Sequence, residues 1–170
     1  MNSTTKLFVS LMLLLLALSA CSTRTQASMA SSDPAQSVAL YKQALAENPD
    51  SARTRIKLGK ALIHNGEYTE ATARLSEALQ ILPDDPEAQF YLALTEIGRS
   101  GPGGALEKLM NYRPYNKTKL GEIIRLDAQR ASVRNLTADE VIRRMENTYQ
   151  RGAAEQQVED RRTRMLIMDK

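Results

Sequence analysis

The stretch ARTRIKLGKALIHNGEYTEATARLSEALQILPDD, residues 52–85, decides the fold. Its first half sets Ile56, Leu58, Ala61 and Leu62 at the spacing that gathers apolar side chains on one face of a helix. Asn65-Gly66 then predicts the helix end, because glycine enters the left-handed backbone of a helix terminus at no steric cost. The second half repeats the stripe with Ala71, Leu75, Ala78 and Leu79, and Pro83 stops it. Pro49 stands 34 residues before Pro83, and each is followed by an aspartate, Asp50 or Asp84. Two amphipathic helices in such a period predict an all-α stack of hairpins, since neither helix can bury its stripe alone.

The same residues resemble the tetratricopeptide repeat. Leu58-Gly59 fills that pattern's Leu-Gly pair, Ala71 and Ala78 its two small positions, Leu75 its aromatic position and Pro83 its closing proline. Leu62 stands where tyrosine is commoner, and Arg55 stands where a large apolar residue is expected. Physically, Gly59 and the two alanines let the paired helices approach closely. The resemblance implies a short α-solenoid of helix hairpins. Further helices follow it toward the C-terminus.

Composition agrees with a helical stack. Of 170 residues, 42% are hydrophobic but only 5% aromatic, with no Trp. The net charge of +3 is uneven. Residues 22–100 carry 8 basic and 10 acidic side chains, and residues 101–170 carry 14 basic and 10 acidic. A basic second half suits an acidic protein surface, anionic lipid or nucleic acid, but mixed signs on solvated helix faces explain it more simply, and no nucleic-acid partner is expected. A single cysteine excludes an intramolecular disulfide.

Residues 1–20 read as an address. One charged side chain, Lys6, precedes an apolar run from Leu7 to Leu18, short for a membrane span and ended by small residues. The sole cysteine follows in Leu18-Ser19-Ala20-Cys21. This resembles the lipobox of bacterial lipoproteins. The resemblance implies removal of residues 1–20, acylation of Cys21, and an anchor in the membrane through that lipid. Ser22 in place of Asp implies the outer membrane, facing the periplasm. Residues 21–32 are small and polar, a tether between lipid and domain.

The chain after the tether divides into a repeat domain at 33–116 and a helical extension at 117–170. Asp33-Pro34 predicts a helix start, with Asp as N-cap and Pro at the first helical position, and the helix runs to about Glu47. Tyr41, Ala44 and Pro49 match the second half of a repeat, so this helix caps the first complete pair. A third unit begins at Pro86 with Phe90, Leu92, Ala93 and Ile97. The run Arg99-Ser100-Gly101-Pro102-Gly103-Gly104 predicts an irregular turn within a degenerate repeat over 86–113. Leu120, Ile123, Ile124 and Ala131 predict a helix covering the end of the stack. Thr137 to Glu140 is a capping box, opening a helix with Val141, Ile142, Met145 and Tyr149 on one side. Beyond Arg151-Gly152 the pattern fades, and Met165 to Met168 read either as a frayed helix end or as a docking segment.

No catalytic or metal constellation emerges. His64 is the only histidine, no serine sits in a Gly-x-Ser-x-Gly elbow, and capping explains Asp84-Asp85. No enzyme activity, cofactor or metal is expected; a lipid-anchored hydrolase would need a nucleophile–base pair that the chain lacks. Binding is the positive expectation. In the tetratricopeptide family the first helix of each pair lines a concave groove. Here that phase holds Arg53, Ile56, Lys57, Lys60, Ile63 and His64, beside Phe90, Tyr91, Leu94 and Ile97. A basic row beside an aromatic-apolar wall suits a protein or peptide partner carrying an acidic group. Taken singly, the lysines could equally be solvated, and Phe90 and Tyr91 could equally pack in the core. Lipobox and tandem repeats together resemble the lipoproteins of pilus and secretion systems, including Tad/Flp pilus assembly lipoproteins and pilotins. That resemblance implies an interaction scaffold or assembly factor of the envelope. An adaptor for cell-wall enzymes or proteases, or self-association through residues 138–168, are the alternatives.

Overall fold

In the computed structural model, residues 33–168 are described, and every regular element among them is an α-helix. In chain order these are α1 (Pro34–Glu47), α2 (Ala52–His64), α3 (Tyr68–Ile81), α4 (Pro86–Ser100), α5 (Pro102–Met110), α6 (Thr118–Ser132) and α7 (Ala138–Met168). Each packs antiparallel-hairpin fashion on its neighbour in sequence, and α2 also touches α4, as first helices of successive hairpins do in a solenoid. One closing contact breaks that order. Helix α7 packs on α6 and also reaches back to α4. A single core, from Val38 on α1 to Tyr149 on α7, runs through all of it.

Local chemistry sets the helix starts. The Asp33 carboxylate accepts from the Ala35 amide at 3.0 Å, and Pro34 supplies the fixed φ of a first helical position. Ser51 caps α2 by accepting from the Thr54 amide at 3.1 Å, and Asp85 caps α4 by accepting from the Ala88 amide at 2.9 Å. The Thr137–Glu140 box closes reciprocally. The Thr137 amide donates to Glu140 Oε2 at 2.8 Å, and the Glu140 amide donates to Thr137 Oγ1 at 3.3 Å. Asn65 ends α2, with Gly66 at φ +77° after it.

Helices α2 and α3 meet where Gly59 faces Leu75. A Cβ on Gly59 would stand 2.6 Å from Leu75 Cγ, and Leu75, Ala71 and Ala78 are all fully buried. Arg55, the departure from an apolar pattern, is largely buried, and its Nε donates to Glu77 Oε2 of α3 at 3.1 Å.

One expectation changes. The glycine-rich run is not an irregular turn. Gly101 alone connects α4 to α5, with φ +83° that an L side chain resists, and Pro102 starts a helix that takes in Gly103 and Gly104. The last helix, expected over 138–168, keeps its course past Gly152, where its apolar pattern fades. It continues unbroken for 31 residues to Met168, and Gly152 is buried within it. The reason is packing: a Cβ there would approach Leu120 Cδ1 to 2.9 Å, so glycine lets α7 lie close to α6.

Polar groups fix the α6–α7 pair. Helix α6 has no side-chain cap of its own. Instead Gln156 of α7 accepts from the amides of Lys119 at 2.9 Å and Leu120 at 3.2 Å, meeting orphan donors of the first turn from outside. Its Nε2 donates to Asp160 at 2.8 Å, and Asp160 pairs with Lys117 at 2.7 Å. Toward the other end of α6, buried Asp127 accepts from Thr148 at 2.7 Å and from Arg144.

Candidate protein-binding face

The expected face lies on α2 and α4, and the structure sorts its residues into two sets. On α2, Arg53, Lys57 and His64 are exposed and Lys60 is partly so. These four recur at helical spacing and form one row. Lys60 is already engaged: its ammonium donates to Glu87 at 2.6 Å and sits 4.7 Å from the Tyr91 ring centroid. His64 Nε2 lies 2.7 Å from Glu146 Oε1 on α7. That hydrogen bond holds the His64 pKa above its ordinary value; burial and Lys60 oppose it. Arg53 and Lys57 remain the accessible cations of the row.

The apolar set is a correction to the open-groove expectation. Ile56, Phe90, Tyr91 and Leu94 are at most 1% exposed. They are core, not the wall of an open groove, because α7 covers them. Tyr149 sits with its ring centroid 4.5 Å from that of Phe90 and 6.0 Å from that of Tyr91, and Tyr112 approaches Phe90 edge-on. Burial pushes the phenols of Tyr91, Tyr112 and Tyr149 well above their ordinary range, so none of them ionises near neutral pH. The Tyr112 hydroxyl donates to the Pro86 carbonyl at 2.7 Å, which ties α4 to the segment after α5. The helical phase of Phe90 and Tyr91 was legible. That a helix some sixty residues on would cover them was not, although Val141, Ile142, Met145 and Tyr149 had marked α7 as needing a surface to bury.

An opening remains at the edge of the covered face. A cleft of about 660 Å³ lies between the α2–α3 turn and the first turns of α7. Its walls include Ile63, His64 and Tyr68 on one side and Ile142, Arg143 and Glu146 on the other. It offers apolar side chains with one cation, Arg143, two acids, Asp139 and Glu146, and the imidazole around them. Nothing in it pairs a nucleophile with a base. Cys21, the expected lipidation site, lies outside the described residues. Among the described residues, no helix is long and apolar enough to cross a membrane.

A family model described as a tetratricopeptide repeat matches residues 28–95, a span that takes in α1, α2, α3 and most of α4. No curated protein matches the chain. Hairpins stacked through small residues, together with that match, make the fold a short helical solenoid of tetratricopeptide-repeat type, a kind of repeat that typically serves protein–protein interaction.

Proposed function

We propose that this protein is a lipid-anchored scaffold of the bacterial envelope, held at the outer membrane through Cys21 and binding a protein partner in the assembly of a pilus or secretion machine. The partner presents an acidic group to the α2 row. The observation that carries this reading is the state of that row: Arg53 and Lys57 stand exposed on α2, while the acid nearest Lys60, Glu87, is already used. The free cations therefore suit an incoming carboxylate, and the cleft at the His64 end of the row suits an apolar side chain from the same segment.

The test is a pull-down with the intact chain against Arg53→Glu plus Lys57→Glu. Both side chains are exposed, so the fold should survive the change, which a thermal melt checks. Loss of the partner supports the reading; equal recovery from both proteins rejects it. The anchor is tested separately. Palmitate labelling and outer-membrane fractionation should both fail for Cys21→Ser, and normal fractionation of that variant would remove the anchor from the account.

A further inference from the structure

Helix α7 leaves the core before it ends. Gln156 is its last buried residue, and every position from Arg161 to Met168 is exposed. The final described turn is Met165, Leu166, Ile167 and Met168, each more than 60% exposed. Four consecutive residues at about 100° apart cover the whole circumference of a helix, so this turn is apolar on every side rather than along one stripe.

That shape discriminates between occupants. A second helix packing alongside would need the apolar seam to continue backward at three- and four-residue steps. The positions four residues back are Arg161, Arg162, Thr163 and Arg164, and none is apolar. A groove would bury one side of the turn and leave the other wet. An apolar medium that surrounds the turn buries all four side chains.

The arginines behind the turn say which medium. Of the two acids just before the arginines, Asp160 is held by Lys117 at 2.7 Å, and Glu159 reaches Arg162 at 4.0 Å. Arg161, Arg162 and Arg164 thus form a net positive collar behind an apolar tip. We propose that the tip of α7 inserts into the surface of an anionic lipid bilayer, with the arginine collar on the headgroups. This contact does not depend on acylation of Cys21, and it uses a surface distinct from the α2 row.

The chain contains no Trp, so one introduced indole reports its own position without background. In the full chain, Ile167→Trp should shift its emission to the blue and lose most of its acrylamide quenching when phosphatidylglycerol vesicles are added. Adding Arg161→Glu, Arg162→Glu and Arg164→Glu to that variant should raise the lipid concentration needed at least tenfold. Val133→Trp, near the opposite end of α7, should stay quenched under the same conditions, whatever other segment holds the chain to the vesicle. An Ile167→Trp indole that remains in water with anionic vesicles would overturn the proposal. So would an equal response to pure phosphatidylcholine, since the collar would then be idle. A blue shift that follows protein concentration without vesicles would assign the tip to a second copy of the chain instead.

Discussion

Tyr149 on α7 packs against Phe90 on α4 with ring centroids 4.5 Å apart and planes inclined by 34°. This contact turns the first-helix face of the last repeat hairpin from a groove wall into core. It also explains why the accessible chemistry lies to one side, on the α2 row and in the cleft beyond Ile142.

Removing that contact should cost much of the stability. Tyr149→Ala is expected to destabilise the protein by about 3–5 kcal/mol, the range for truncating a buried aromatic. A double-mutant cycle with Phe90→Leu and Tyr149→Leu, read by urea denaturation, should return a coupling of about 0.5–1.5 kcal/mol. Additive effects would mean that the rings do not support one another.

The approach of α2 to α3 is tested by Gly59→Ala. The new methyl would press on Leu75 Cγ, 2.6 Å from the ideal Cβ position. The expected loss is about 1–3 kcal/mol, although alanine is the better helix former. In a Leu75→Ala background the same change should cost less or stabilise. Gly59→Ala raising the melting temperature of the otherwise unchanged protein would show that the helices are not so close.

Gln156 caps a helix to which it does not belong. Gln156→Leu leaves the Lys119 and Leu120 amides without their acceptor, and about 1–2 kcal/mol of stability should go with it. Gln157→Leu, one residue along and exposed, should stay within about 0.5 kcal/mol of the parent. The contrast between neighbours separates the cap from any general effect on α7.

The single histidine gives a clean pH probe. Its hydrogen bond to Glu146 raises the pKa above 6.5, against burial and Lys60, and Asp139 and Arg143 also border the cleft. A raised folded-state pKa means the pair contributes fully below about pH 6.5, and the contribution is lost as pH rises through the folded value. Both groups touch solvent, so the effect should stay below about 1 kcal/mol. In proton NMR the His64 ring should titrate above pH 6.5, and Glu146→Gln should lower that midpoint. An unchanged midpoint would place the imidazole away from α7.

How much of this was legible follows from what each feature depends on. The caps at Asp33-Pro34 and Thr137–Glu140 were readable because a cap involves residues only a few positions apart. The α2–α3 hairpin was readable because Gly59, Ala71 and Ala78 mark close packing within one repeat. Three features were not. Of the glycines at 101, 103 and 104, only the first takes a positive φ, and backbone geometry rather than residue type distinguishes them. Nothing local marked the role of Gly152, which is to admit Leu120, a neighbour 32 positions earlier. The fate of Phe90 and Tyr91 depended on Tyr149. Helical phase says which face a side chain shares, but not whether a distant helix will cover that face.

Hydrogen exchange of the backbone amides tests the covered face most directly. If α7 is part of the core, amides from Val141 to Gly152 should exchange as slowly as those from Ile56 to Ile63 and be released in the same global opening. Amides beyond Arg161 should exchange quickly. Fast exchange from Val141 to Gly152, with α2 still protected, would show that α7 detaches while the stack persists, and the face it covers would be an open groove after all.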